Sequence, residues 1–405
     1  MPRFDLVIVG GGLVGAGLAA ALRHSGLRIA VIDSRRPSSD DPRLFALNNG
    51  SCQFLDNLHL WPRLSAHASP IQQVHVTRHG HFGSVRLRCE DVGLRNLGHV
   101  IPARHIEAAL NETLLSLPAC TLFRPARLQS LDQDDRMVQL TILTEEGEVS
   151  LSSLVVIGAD GTDSTVRSQL HIKTEVIDYE QSAIVTRTAL KRSHHHVAHE
   201  RFLADGAVAM LPLPGEECAT IWTASNHAVS ELMSFSDEEF LKRLQDAFGY
   251  RLGRLQGITQ RHVFPLRLVR AEKMVEQNVF LLGNSAHTLH PIAAQGFNLA
   301  VYEVAVLAEA ILEKLQNQKC FTKEDLPEIS ALIQKQQATS IGVSHRLSTL
   351  FSTDSFLGGW PLQLGMMGLD MIMPVKKKFI EAIMGRTGRV PGLLLSDFYE
   401  KNLSA

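Results

Sequence analysis

Apolar residues recur along this chain in two rhythms. Phe4-Asp5-Leu6-Val7-Ile8-Val9 is a short run that stops at Gly10-Gly11-Gly12, after which Leu13, Leu18, Ala21 and Leu22 return on one helical face. That order predicts a strand, a tight turn and a helix start. A second run, Leu27 to Ile32, closes on Asp33. From Ile71 to Arg88 the rhythm becomes alternation, with Val74, Val76, Val85 and Leu87 set around a turn at His79 to Gly83, which predicts a hairpin. Helical spacing of Ile106, Leu110, Leu114 and Leu117 follows, and strands are expected at Leu122 to Leu131 and Met137 to Leu143.

Leu151 to Ile157 reads as another buried strand, ending in Gly158-Ala159-Asp160-Gly161-Thr162-Asp163-Ser164. Ile184 to Val269 returns to alternating strands, at 184–190, 200–203, 208–213, 219–224 and 262–268. One helix interrupts them, opening with the capping-box pattern Ser236-Asp237-Glu238-Glu239. Val279 to Leu282 then leads through Gly283-Asn284 and His290-Pro291 to an apolar helix from Leu299 to Leu315, and composition shifts near Ser344.

The first glycine turn has a physical reason. Gly10 permits the turn, Gly12 has no side chain to hold a pyrophosphate off the backbone, and Gly15 lets the helix pack close to the strand. The helix N-terminus offers free N–H groups to the anion. Asp33, about 20 residues on, is placed to accept hydrogen bonds from a ribose 2′-hydroxyl. Such a motif alone is weak evidence, but its position between a strand and a helix strengthens it.

Composition narrows the class. Of 405 residues, 45% are hydrophobic and 20% charged, which describes a globular protein with a substantial core. A formal net charge of -2 gives no nucleic-acid footprint. Cys52, Cys89, Cys120, Cys218 and Cys320 are scattered, without a CxxC pair, and read as reduced thiols; Phe4 to Val9 is too short for a secretory h-region. The expectation is a cytoplasmic protein. Phe356 to Pro374 is apolar but broken by Pro361, Gln363 and Asp370, and Lys376, Lys377 and Lys378 follow it. It reads either as a surface lying on a membrane or, more commonly, as a packed helix with a solvated lysine face. His194, His195, His196 and His199 lack Cys or carboxylate partners at ligand spacing, so no metal is expected and a solvated loop is favoured.

Three separated elements now agree: Gly10-x-Gly12-x-x-Gly15, Asp160-Gly161-x-x-Ser164-x-x-Arg167, and Gly283-Asn284 running into His290-Pro291 and Gln295-Gly296-x-Asn298. Together they resemble the class A flavoprotein aromatic hydroxylases built like para-hydroxybenzoate hydroxylase. Phe202, Ala209 to Pro212, Ser236 to Phe240, Ala247 to Gly253 and Thr288 to Ala293 make the match closest to the ubiquinone-biosynthesis hydroxylases, above all those acting on 2-polyprenyl-6-methoxyphenol. The resemblance implies an α/β fold with a discontinuous Rossmann-like FAD-binding domain (1–70, 101–180 and 270–344). It also implies an inserted, mostly antiparallel β substrate domain (71–100 and 181–269) and a helical C-terminal region (345–405).

By position, the resemblance implies that Gly10, Gly12, Gly15 and Asp33 bind FAD. Arg43 and Arg104 would line the flavin, and Asp160 would support the cofactor loop. Asn284 would stand at the ribityl chain, where most of the class has aspartate; Pro291, Gln295, Gly296 and Asn298 would lie at the isoalloxazine ring. Ala294 and Ala300 replace glycines of the closest relatives. No acid or base is identified, although His290 and Pro291 adjoin the flavin.

NADPH or NADH would reduce FAD, and a C4a-hydroperoxide formed with O2 would be attacked by an electron-rich prenylated phenol. The implied partners are a membrane surface, the inner membrane's periphery, or a ubiquinone-biosynthesis protein assembly. Rival readings are a flavin monooxygenase on another aromatic ring and a flavin-binding redox sensor that makes no product. A flavin halogenase lacks its WxWxIP element here, since Trp61, Trp222 and Trp360 stand apart, and a disulfide reductase would need a cysteine pair near the first helix.

Overall fold

A computed structural model describes residues 1–36, 41–81, 83–288, 295–338, 372–384, 390–396 and 398. His290, Pro291, Ala294 and most of the apolar 356–374 stretch lie outside the described residues, as does the side chain of Gln295.

The first apolar run forms the strand Arg3–Val9 at the centre of an eight-stranded sheet. It pairs in parallel with Ile29–Ile32 on one side and with Gly147–Gly158 on the other, with Val7 opposite Ala30 and Val156. Cys120–Phe123 and Val279–Leu281 extend the parallel part. Runs buried on both faces, such as Ile29-Ala30-Val31-Ile32, are what a covered parallel sheet requires. Helices Leu13–Ala21, Ala103–Ser116 and Gln295–Gln316 cover it, the first packing on both of the others. Gly147–Gly158 serves two partners along its length: Leu151 pairs antiparallel with Leu140 of Val138–Thr144, and Val156 pairs parallel with Val7.

A nine-stranded, mostly antiparallel sheet forms the other half. Its order is His287–Thr288, His262–Ala271, Thr174–Leu190, Glu217–Ser225, Ala207–Leu213, Val197–Phe202, Gln73–Arg78 and Ser84–Arg88, with Leu255–Ile258 added to Thr174–Leu190. The expected hairpin is present, with Val74 opposite Leu87 and Val76 opposite Val85. One face of this sheet buries Ile184, Val208, Met210 and Trp222 against Phe240, Leu244 and Phe248 of the helix Asp237–Phe248. That helix starts where its capping signal sits, the Ser236 side chain accepting from the Glu239 N–H at 3.2 Å.

Several expectations are corrected. The run 122–131 is two strands, Cys120–Phe123 in the parallel sheet and Ala126–Gln133 in the antiparallel extension, because Pro125 has no N–H for either ladder. Two helices interrupt the β region, the second being Asn226–Ser234 capped by Ser225. Leu44–Asn48 pairs with Gly98–Pro102, which also pairs with Ser69–Ile71, in a small three-stranded sheet. The histidine segment is not solvated throughout. His194 is buried, with Nε2 at 2.9 Å from the Leu213 carbonyl, and His199 packs edge-on to Phe248.

In the described C-terminal part, helix Met373–Ile383 packs beside Cys89–Val92, and Ile380 and Met384 enter the apolar cluster of Val85, Leu87, Phe202 and Leu213. Lys377 and Lys378 are exposed, but Lys376 is buried and paired with Asp91 at 2.9 Å. Among the described residues no helix is long and apolar enough to cross a membrane.

Candidate active site

The two sheets flank a partly open cavity of about 1870 Å³. This exceeds the roughly 300–1,000 Å³ that holds one small ligand. Val9, Gly10, Gly12 and Asp33 line one end, and apolar side chains of the nine-stranded sheet line the other. Between them lie 43–48, 159–163, Asn284 and Gly296 to Asn298.

The glycine turn is fixed by contact. Gly10 has φ +111°, and a Cβ there would come within 2.2 Å of the Ala159 carbonyl oxygen. A Cβ on Gly15 would meet the Gly10 carbonyl at 1.9 Å. Gly11, assigned no role from sequence, is also constrained: a Cβ would stand 2.8 Å from the Arg124 side chain. Gly12 caps the helix Leu13–Ala21 with no side-chain hydrogen bond, so the helix N-terminus faces the cavity uncapped.

Asp33, at the end of Ile29–Ile32, is held at 3.0 Å by Arg124. Arg124 also donates to Asn111 and to the Gly11 carbonyl. Its sequence signal was slight, a lone arginine before Pro125, and only the fold shows that this end of the parallel sheet needs a cation.

Asp160 accepts from the Thr165 N–H at 2.7 Å and the Val166 N–H at 3.1 Å through Oδ2. Its Oδ1 is buried without a hydrogen-bond partner among the described residues. Arg167 ties the same loop to the next, donating to the carbonyls of Thr162 at 2.7 Å and Ser285 at 2.9 Å.

Behind Gly283-Asn284-Ser285, the carboxylate of Glu303 is fully buried. It accepts from the Gly283 N–H at 3.0 Å and from Gln337 at 2.8 Å, and it pairs with His287 Nε2. Asn298 accepts from the Asn48 N–H at 2.9 Å and the Ser51 hydroxyl at 2.8 Å, and donates to the Ala46 carbonyl at 2.9 Å. Its amide therefore ties the strand Leu44–Asn48 to the helix Gln295–Gln316, both of which border the cavity.

Arg43 lines the cavity with its guanidinium on Asp41, at 2.6 Å, which raises the arginine further above its ordinary range. Arg104 is half-buried in the first turn of Ala103–Ser116 and is not among the cavity-lining residues. Asn284 and Gly296 do line the cavity, and a Cβ on Gly296 would meet nothing within 4 Å.

Sequence reasoning also passed over Glu200. It sits on Val197–Phe202 between Ala198 and Phe202 on the cavity face, and burial pushes its carboxyl up to about 7. The signal was available: an acid at the i+2 position of an otherwise apolar strand face.

These residues suit a dinucleotide. The uncapped helix terminus and the glycine turn fit a pyrophosphate, Asp33 fits a ribose diol, and the orphaned Asp160 Oδ1 fits a hydroxyl donor. The comparisons agree. A family model described as "FAD binding domain" matches residues 3–320. Ubiquinone hydroxylase UbiL of Rhodospirillum rubrum is 32% identical over 94% of this chain and 89% of its own. The 3-demethoxyubiquinol 3-hydroxylase of Escherichia coli is 29% identical over 76% and 79%. Among solved structures, p-nitrophenol 4-monooxygenase PnpA from Pseudomonas putida DLL-E4 superposes with a TM-score of 0.79 at 20% identity, covering 96% of this chain and 100% of that one.

Proposed function

The chain belongs to the FAD-binding-domain family and is an FAD-dependent aromatic-ring monooxygenase; from that premise we propose that it hydroxylates the ring of a prenylated phenol in ubiquinone biosynthesis. The observation that carries this reading is one cavity joining a dinucleotide cradle to a long apolar sheet face. The names of the Rhodospirillum and Escherichia relatives support the pathway.

Bound FAD, reduced by NADPH or NADH, supplies the activation of dioxygen that side chains cannot provide. Gly10, Gly12 and Gly15 would seat its pyrophosphate, Asp33 its ribose, and Asp160 and Asn284 the middle of the molecule. Glu303 holds the Gly283 N–H and thereby the loop carrying Asn284. Val74, Val85, Phe202, Leu211 and Ile221 give the ring and its tail a dry wall, which limits loss of the activated oxygen to water.

A polyprenyl tail is nearly insoluble, so delivery from a membrane surface belongs to the same reading. Ile372, Met373 and Val375 are about half exposed at the start of the helix, Ile372 and Val375 also bordering the cavity that Phe379, Ile380 and Met384 line, and Lys377 and Lys378 stand beside them. That combination suits an anionic lipid surface.

The test is NADPH oxidation and oxygen uptake by FAD-reconstituted protein, with and without 2-prenyl-6-methoxyphenol, with product mass. Stimulated oxidation and a product heavier by one oxygen are expected. NADPH oxidation that this phenol does not stimulate, yielding only hydrogen peroxide, would overturn the substrate.

A further inference from the structure

On Val197–Phe202, Arg201 donates to the Phe248 carbonyl at 2.6 Å, and His199, which borders the cavity, packs its ring edge-on to Phe248, with burial holding the imidazole down to about 4. Ala198, Glu200 and Phe202 line the cavity. Glu200 lies in register with Val76 on one side and Ala209 on the other. The covering helix Met373–Ile383 contributes Val375, Phe379 and Ile380 to the same space. None of these side chains can donate a hydrogen bond, and among the described residues no hydrogen bond or ion pair reaches the Glu200 carboxyl.

The other charged groups lining the cavity, Asp33, Arg35, Arg43, Arg127, Asp160 and Asp163, belong to nucleotide-side segments. Lys376 on the covering helix is paired with Asp91. Glu200 is half-buried, and it is the apolar surroundings rather than any charged neighbour that raise its carboxyl, to about 7. An unpaired carboxyl on an apolar wall costs stability, and such a group is kept where a ligand supplies its partner.

We propose that Glu200 accepts the hydrogen bond of the substrate's phenolic hydroxyl and takes its proton as the ring is hydroxylated. The inference rests on the reading of the substrate as a phenol. The phenolic O–H bond breaks, its proton binds a carboxylate oxygen of Glu200, and the electron pair left on oxygen raises electron density at the ring carbon that gains the new C–O bond. The oxygen added to that carbon comes from dioxygen activated by bound FAD, as its O–O bond breaks; the carbon then loses its own hydrogen as a proton, which goes to the second oxygen atom as that leaves as water, and once the ring is aromatic again Glu200 returns its proton to the phenolic oxygen and ends as a carboxylate. General-base assistance of this kind contributes roughly 10²–10⁴-fold.

The test uses the FAD-loaded enzyme in two arms. Without nicotinamide, 2-prenyl-6-methoxyphenol, its O-methyl ether and 4-nitrophenol are titrated, with binding read from the flavin absorbance. The wild type is expected to bind the phenol at least 10-fold tighter than the ether, and Glu200→Leu is expected to lose that discrimination while its melting temperature shows it folded. With NADPH, Glu200→Gln is expected to lower kcat for product about 100-fold with KM changed less than threefold. The wild-type kcat should rise with pH near 7 and the variant's should not. Equal binding of phenol and ether by the wild type, or a Glu200→Gln enzyme with unchanged kcat and pH profile, overturns the proposal. A wild type that prefers 4-nitrophenol over the ether but never oxygenates the prenylphenol removes the substrate reading and leaves the role of Glu200 supported.

Discussion

The Arg124 guanidinium stands 3.0 Å from the Asp33 carboxylate, with both side chains about 9% exposed. A buried pair of this kind adds little by itself, but removing one partner leaves an uncompensated charge. Arg124→Met should therefore cost about 3–5 kcal/mol, read by urea unfolding of the apoprotein. Asp33→Asn strands the charge of the buried Arg124 and should also lower stability, and it should weaken FAD binding because a neutral amide replaces the charged acceptor of the ribose diol. Equal stability of Arg124→Met and wild type would contradict this.

Gly15 and Gly12 separate fold from ligand. A Cβ at Gly15 strikes fixed backbone at 1.9 Å, whereas at Gly12 it meets only the end of the flexible Arg35 side chain at 3.1 Å. Gly15→Ala should lower apoprotein stability by at least ~1–3 kcal/mol, the usual cost of overpacking. Gly12→Ala should leave the apoprotein melting temperature nearly unchanged and weaken FAD binding at least 10-fold, measured by flavin fluorescence quenching.

Much of this was legible in the chain, for reasons that differ by element. The nucleotide turn is local: strand, glycines and helix are contiguous, so Gly10 and Gly15 announce themselves. The hairpin at 73–88 and the cap at Ser236 are equally local. Arg124 and Glu303 were missed because their meaning is set by partners far away in sequence, and Glu200 because the apolar strand face it interrupts becomes a cavity wall only once the sheet has formed. Arg124 matters only once Cys120–Phe123 pairs with Ile29–Ile32. Glu303 reads as one more polar residue of a helix until Gly283, His287 and Gln337 converge on it. Arg104 differs again: its place at the flavin came from the resemblance alone, and it is not among the residues that line the cavity.

Glu303 has a sharper consequence. Its carboxylate is fully buried and takes three donors, so Glu303→Ala strands all of them. A loss of about 3–5 kcal/mol is expected, with FAD release because the Gly283 loop loses its anchor. Glu303→Gln should recover part of the stability. Full retention of FAD by Glu303→Ala in gel filtration would dissociate the network from the cofactor loop.

The exposed apolar patch can be separated from the core. Replacing Ile372, Met373 and Val375 with serine removes half-exposed groups while leaving Ile380 and Met384, which are buried. The triple variant should keep its melting temperature and lose most of its co-sedimentation with anionic phospholipid vesicles. Undiminished co-sedimentation would place the lipid-facing surface elsewhere.

Glu200 also predicts how stability depends on pH. Burial raises its carboxyl from an ordinary value of 4.5 to about 7 in the folded protein, so between those values the native state binds more protons than the unfolded chain. Stability from this group is therefore fully present below about pH 4.5 and falls as pH rises to about 7, the reverse of an ion-paired carboxylate. The displacement corresponds to up to ~3 kcal/mol at pH 8. Glu200→Gln, neutral at every pH, should be more stable than wild type by up to that amount at pH 8, with the gap closing toward pH 4.5. Urea unfolding of the FAD-free protein at both pH values measures it. A bound phenol should narrow the gap at pH 8, because its hydroxyl supplies the donor that the apolar wall lacks. A gap that is absent at pH 8, or that widens on acidification, would mean that the carboxylate is already satisfied in the ligand-free cavity.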